Sequence, residues 1–149
     1  MHKVADSVRS AVSIPLLHIG EVTAAELLAA GVRKTALLGT AYTMEQDFYT
    51  AKLVEKGIEA LIPDAEQRRA INEIIYSELC QGIIREESRA YFYEVIDGMK
   101  ERGAEGVILG CTEIGLLVQA KESPLPVFDT TLIHARRAAL LSLGGKLTP

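Results

Sequence analysis

Several residue types are scarce in this sequence, and each scarcity narrows the range of possible functions. There is no tryptophan and few other aromatic residues, which argues against a surface on which single-stranded nucleic acid stacks. The net charge is -4, with acidic and basic residues mixed along the chain, so there is no basic footprint for nucleic acid. The three histidines, His2, His18 and His134, lack metal-site spacing and form no cluster with cysteine. We therefore expect neither a nucleic-acid partner nor a metal.

Long apolar runs are also missing. No run approaches the ~20 residues that span a bilayer, and the first residues lack the apolar segment of a secretory signal. Two cysteines, Cys80 and Cys111, are present, which is too few for the disulfide framework of a small secreted protein. We therefore expect a cytoplasmic protein without membrane contact, in which both cysteines are reduced.

The apolar pattern alternates between strand and helix along a chain of 149 residues, which is long enough for one domain with a real core. Short β-branched or leucine-rich runs predict strands at residues 14–19, 35–40, 58–62, 107–109 and 126–129. Helical spacing before and between them predicts helices. Their inward stripes include Met44, Phe48, Ala51 and Val54; Ile71, Ile74, Ile75 and Leu79; Phe92, Val95, Ile96 and Met99; and Leu132, Ala135, Ala139 and Leu143. The alternation favours an α/β fold, a parallel sheet covered by helices on both faces.

Two helix starts have recognisable caps. Thr43 with Gln46 and Asp64 with Gln67 both have the spacing of a capping box, so each pair predicts the first turn of a helix. Cys80 falls beside Leu79 on the second of these helices, which has an apolar face and is broken by Gly82. We expect Cys80 to be a buried, inert core residue.

The stretch from residue 106 to 118 is the natural first candidate for a site. It is a buried strand stopped by Gly110, with a thiol, a hydroxyl and a carboxylate following at Cys111, Thr112 and Glu113. Residues 40–43 and 129–130 also come directly after predicted strands. In open α/β sheets the carboxyl ends of parallel strands form the ligand-binding edge. The three polar segments are therefore expected to meet along one edge.

Cys111 has two interpretations on its residues alone. At a strand-to-helix turn, unpaired backbone N–H groups and the helix dipole favour a thiolate, which is both a nucleophile and a base. The same N–H groups and the Thr112 hydroxyl could hold a carboxylate. Against this, free cysteines are often buried and inert, and the neighbouring Glu113 raises the pKa of a thiol. Thr43 is likewise a helix cap, a ligand hydroxyl, or both.

Four motifs together resemble a known family over nearly the whole chain. They are Gly110-Cys111-Thr112-Glu113-Ile114, Gly39-Thr40-x-x-Thr43-Met44, Pro126-Val127-Phe128-Asp129-Thr130 and Glu86-Glu87-Ser88-Arg89. This combination is similar to the aspartate/glutamate racemase family, close to its bacterial broad-type amino-acid racemases.

The resemblance implies cofactor-independent racemases of two pseudo-symmetric α/β lobes with the site between them. Two opposed acid/base residues, usually cysteines, exchange the α-hydrogen of a small amino acid without a metal or pyridoxal phosphate. By this resemblance Cys111 is the second-lobe acid/base, and Thr40, Thr43, Thr112 and Glu113 are substrate-binding residues. Aspartate or glutamate is the expected substrate, although some members have a basic residue where this sequence is neutral near Gln81. Homodimers are common in the family.

One family motif has no counterpart here. Members carry Cys-Asn-Thr or Thr-Asn-Thr in the first lobe, followed closely by histidine, whereas this sequence starts Met1-His2-Lys3. We expect a truncated member, with residues 1–32 from the first lobe, 33–130 forming the second, and 131–149 a helix returning toward the first. Exposed apolar surface and little racemisation by this chain alone should result. The alternatives are a non-catalytic lobe with residual carboxylate binding, or a related hydantoin racemase or maleate isomerase.

Overall fold

The structure is a computed structural model and describes residues 4–144. Residues 1–3, on which the truncation argument depends, and residues 145–149 lie outside the described part. The strands are β1 (Lys34–Leu38), β2 (Glu59–Leu61), β3 (Gly106–Leu109) and β4 (Val127–Asp129). They form one parallel sheet in the order β2-β1-β3-β4. The predicted parallel α/β fold is confirmed.

Eight helices accompany the sheet in the described residues. They are α1 (Ala5–Ala11), α2 (Ile19–Ala29), α3 (Ala41–Glu45), α4 (Asp47–Val54), α5 (Ala65–Ser77), α6 (Glu86–Glu101), α7 (Ile114–Leu117) and α8 (Thr130–Ser142), with a 3-10 turn at Leu79–Gln81. None of the helices between residues 4 and 144 is both long and apolar enough to cross a membrane.

The sheet is buried on both faces because alternate residues of its central strands point to opposite sides. Ala36 and Leu38 of β1 belong to the apolar cluster that includes α5, α6 and α7, and Leu37 belongs to the cluster that includes α2 and α4. In β3, Val107 and Leu109 join the first cluster and Ile108 joins the second. Both central strands therefore contain a continuous buried apolar run, Ala36-Leu37-Leu38 in β1 and Val107-Ile108-Leu109 in β3, as parallel strands covered on two sides usually do.

The strand predicted at residues 14–19 is wrong. Ile14 is 72% exposed, and α2 already begins at Ile19, where the His18 side chain accepts a hydrogen bond from the Gly20 N–H. A strand needs a neighbouring strand for its backbone hydrogen bonds, and none of the four strands in the described residues pairs with this segment. A short apolar run with Pro15 therefore becomes an extended connection.

The helix predicted from Thr43 is divided in two, and its cap is Thr40. Thr40 is the N-cap of α3, and its side chain accepts from the Thr43 N–H. Gln46 is extended and separates α3 from α4. The interruption changes the inward face, so Tyr49 and Leu53 are buried while Ala51 and Val54 are exposed. The predicted box at Asp64 and Gln67, by contrast, is present in full.

The inward stripe predicted for α8 is also wrong. Leu132 is 68% exposed and Leu143 is 84% exposed, and Ala135 and Ala139 are exposed with them. The side of α8 toward the protein carries Ile133, which packs on the cluster of α2 and α4. Leu132, Leu140 and Leu143 therefore leave exposed apolar surface on this helix.

Candidate active site

The three polar segments lie at the carboxyl ends of the three adjacent strands β1, β3 and β4. We call residues 39–43, 110–113 and 129–130 the rim. The strands are parallel and neighbours in the sheet, so their ends meet at one edge as predicted. The Gly110 N–H donates to the Leu38 carbonyl at 2.7 Å, which extends the pairing of β1 and β3 to the first residue of the rim.

Thr43 contacts two glycines at the start of the rim. A Cβ placed at Gly39 would lie 3.1 Å from Thr43 Cβ, and one at Gly110 would lie 3.2 Å from Thr43 Cγ2 and 3.0 Å from the Leu38 carbonyl oxygen. Backbone cannot move away easily at such a distance, so a side chain at Gly110 would separate the two strand ends. The glycines allow Thr43 to lie directly beside the segment that carries Cys111.

The hydroxyls of Thr40 and Thr43 form a pair, with their Oγ1 atoms 3.2 Å apart. Backbone N–H groups here already have partners, because the Thr43 N–H donates to the Thr40 carbonyl at 2.9 Å and the Ala41 N–H donates to Asn72 Oδ1 at 2.9 Å. The hydroxyls are thus the groups of this segment best suited to a polar ligand.

Asn72 is a positioning residue that the sequence reasoning missed. It lies half-buried on α5 between the buried Ile71 and Ile75, and its carbonyl holds the first turn of α3 in place. A polar amide beside two buried positions of an amphipathic helix was the available signal, since buried polar groups are almost always hydrogen-bonded.

The third segment of the rim is fastened to the second. The buried Thr130 hydroxyl donates to the Leu109 carbonyl at 2.8 Å, and Asp129 caps α8 by accepting from Thr131 and Leu132. A Cβ at Gly115 would lie 2.8 Å from Asp129 Oδ2. The helix that follows Cys111 therefore packs tightly on Asp129, which limits movement of the backbone segment that carries the thiol.

Cys111 is half-buried, and its thiol donates to Glu113 Oε2 at 2.9 Å. Ile114 follows fully buried, while Thr112 between them is exposed. Cys80 is exposed in the 3-10 turn, so the expectation that it is a core residue is wrong. The turn packs against α7, which brings the second cysteine close enough to Cys111 for their charges to interact.

The thiol of Cys111 is held in its protonated form. Burial raises its pKa first, and the hydrogen bond to the Glu113 carboxylate raises it further, to about 12, against a smaller lowering by the Glu113 backbone N–H. Hydrogen bonds from Cys111 and Thr112 lower the pKa of Glu113. Burial and the Glu113 carboxylate, which raise the pKa of Cys111, therefore outweigh the start of the following helix, which would lower it. A four-residue helix contributes little dipole.

The chemistry available at the rim is proton transfer and hydrogen bonding. The Cys111 thiol contacts Glu113, and the paired hydroxyls of Thr40 and Thr43 lie on the adjacent strand end. Within residues 4–144, no group of three or more His, Cys, Asp or Glu side chains is arranged to hold a metal ion.

Known proteins are similar to this chain over most of its length. A family model described as Asp/Glu/hydantoin racemase matches residues 1–138. A broad-specificity amino-acid racemase from Bacillus subtilis is 25% identical over 135 residues, which are 91% of this chain and 58% of that protein.

Solved structures show the same relationship. A candidate Asp/Glu racemase from Yersinia pestis superposes with a TM-score of 0.91 at 53% identity, covering 96% of this chain and 63% of that one. An aspartate racemase homologue from Pyrococcus horikoshii superposes with a TM-score of 0.89 at 38% identity, covering 95% and 62%. This chain thus spans about three fifths of the length of these relatives. The chain belongs to the Asp/Glu/hydantoin racemase family.

Proposed function

We propose that the protein is an amino-acid racemase of the aspartate/glutamate type, in which Cys111 is one of two acid/base groups acting at the α-carbon. The observation that carries the proposal is the rim itself: a half-buried thiol directly follows Gly110, the glycine against which Thr43 packs, and Thr43 forms a hydroxyl pair with Thr40 on the adjacent strand end. Membership of a racemase family supports the reaction class.

The rim can perform two tasks of such a reaction. The hydroxyls of Thr40 and Thr43, with the exposed Thr112, would hold the α-carboxylate of the substrate. The Cys111 thiol would then face the α-carbon, where it delivers a proton to one face while a second group removes the α-hydrogen from the other. Proton transfer by a positioned side chain contributes about 10²- to 10⁴-fold to a rate. This mechanism needs no cofactor, in keeping with the expectation from sequence.

The opposed group would come from a first lobe, and our division at residues 32 and 130 stays a prediction. A second candidate function is a non-catalytic lobe that binds carboxylates weakly. The observation that favours it is coverage, since the chain spans 58% of one relative and 63% of another. The breadth of the matched family also leaves hydantoins as a substrate class.

Racemisation tests the proposal directly. The chain, alone and extended by the residues encoded upstream of Met1, would be incubated with L- and D-amino acids in deuterated water, and deuterium at the α-carbon would be measured by mass spectrometry. We expect exchange by the extended form and little by the chain alone, because two opposed groups are required.

Cys111→Ser should reduce exchange by at least about 100-fold, because a hydroxyl is a much weaker acid than a thiol and gives up its proton far less readily. Cys80→Ser is the matched control, since it removes the other cysteine, which is exposed. Undiminished exchange by Cys111→Ser would contradict the proposed role. Exchange on hydantoins with none on amino acids would reassign the substrate.

A further inference from the structure

Glu113 contacts the reacting thiol, which gives it a different place from that expected of a substrate-binding residue. Its Oε2 accepts a hydrogen bond from the Cys111 thiol, and the Sγ–Oε2 distance of 2.9 Å is short for a hydrogen bond from sulfur. The neighbouring Thr112 also lowers the pKa of this carboxylate. The group that the carboxylate contacts is thus the one proposed to react.

We propose that Glu113 is a positioning residue that keeps Cys111 protonated and oriented, so that this side of the site begins each turnover as the proton donor. The role of Glu113 in turnover rests on the proposed racemase function. Its effect on the protonation and orientation of the thiol rests on the observed contact.

The chemistry of the step follows from the contact. When the thiol rotates from Glu113 toward the substrate, the S–H bond breaks and a Cα–H bond forms with the electron pair of the carbanion. The negative charge then resides on sulfur, next to the Glu113 carboxylate. Two like charges at this distance repel, so the thiolate is a strong base with a short lifetime. Before the next turnover the thiolate is readily reprotonated by solvent, while the opposed group releases to solvent the proton that it took from the α-carbon, so that the thiol is again the proton donor.

Among the groups around the thiol, Glu113 is the one whose substitution should change the pKa of Cys111 most. Besides burial, the titratable groups that act on Cys111 are Glu113 from its own segment and Cys80 from the 3-10 turn, and both raise its pKa. The neighbouring Thr43 is uncharged. Among these neighbours there is no cation that would stabilise a thiolate, so removing the carboxylate should have a measurable effect.

The test is the pH dependence of alkylation of Cys111 by iodoacetamide, measured by mass spectrometry in a Cys80→Ser background. Alkylation follows the thiolate fraction. In that background we expect slow labelling at pH 8 that still rises at the upper end of the pH range. Adding Glu113→Gln should increase the rate at pH 8 by about tenfold, since loss of a neighbouring charge and hydrogen bond lowers a pKa by about one unit or more.

Two variants make the result specific. Glu87→Gln removes the same charge from an exposed position in the first turn of α6, and it should leave the rate unchanged. Glu113→Asp keeps the charge and should restore most of the slow labelling. Circular dichroism of each variant shows whether the fold is retained. A Glu113→Gln rate within about twofold of the background, in a folded protein, would overturn the proposal.

Labelling requires no turnover, so it is independent of the racemase proposal. If Glu113→Gln accelerates labelling but Cys111→Ser leaves α-hydrogen exchange intact, Glu113 does act on the Cys111 thiol, but the proposed role of Cys111 in racemisation is wrong. In an active form, Glu113→Gln should lower kcat and leave KM nearly unchanged, because the carboxylate acts on the thiol. A large rise in KM alone would return Glu113 to substrate binding.

Discussion

The helices α6 and α8 were predicted by the same apolar spacing, yet they have opposite environments. On α6 the predicted residues Phe92, Val95, Ile96 and Met99 are at most 1% exposed. On α8 the predicted Leu132 and Leu143 are 68% and 84% exposed. The comparison shows that spacing identifies a helix more safely than it identifies the side that the helix buries.

The composition of the two helices explains the difference. The remaining positions of α6 are largely charged or polar, so a single side can enter a core. On α8 apolar residues lie on several sides, among them Ile133, Leu140 and Leu141, and several stripes could be drawn. Contact with α2 determines which side of α8 faces the protein. A groove of about 500 Å³ remains between the two helices, lined partly by Leu132 and Leu140.

The largest effect expected from this comparison concerns α6. Phe92→Ala should lower the free energy of unfolding by about 3 to 5 kcal/mol, because it leaves a cavity in a fully buried cluster. Urea denaturation followed by circular dichroism measures the change. Tyr76→Ala is the control, since this aromatic residue of α5 is 58% exposed. A cost for Phe92→Ala no greater than that of the control would mean that α6 does not close the core.

The cap of α8 tests whether that helix folds with the rest. Asp129→Ala removes the acceptor of the Thr131 and Leu132 N–H groups and should cost about 1 kcal/mol, the usual loss for a helix cap. Asp64→Ala removes the corresponding acceptor from α5 and serves as the matched control. If only Asp64→Ala is destabilising in urea denaturation, the cap of α8 contributes nothing to stability. The helices α6 and α8 would then differ in their contribution to stability as well as in burial.

The smallest effect is expected on the outer side of α8. Leu143→Ser should change the free energy of unfolding by less than about 0.5 kcal/mol, as exposed substitutions usually do. The double variant with Leu132→Ser should also reduce self-association in analytical ultracentrifugation, because exposed apolar surface promotes it. A loss of stability above about 1 kcal/mol at low protein concentration would show that this side is covered.

The candidate site was predictable in its members but less so in its contacts. Cys111, Thr40 and Thr43 were found because each follows an apolar strand, and a parallel sheet brings such positions to one edge. The role of Thr40 as cap and the anchoring of α3 by Asn72 were not foreseen. Both depend on where the chain turns at Gln46 and on a helix about thirty residues away in sequence.

Local periodicity, glycines and caps were enough to predict the four strands of the parallel sheet and the strand ends that carry polar groups, but not the absence of a strand at residues 14–19 or the division of the helix after Thr40. Both influences on the Cys111 pKa, the helix start and Glu113, were also visible in the sequence. Tertiary contacts distinguish between them, because they half-bury the thiol and place it against the carboxylate. The same holds for the outward side of α8, since burial depends on which distant segments pack together.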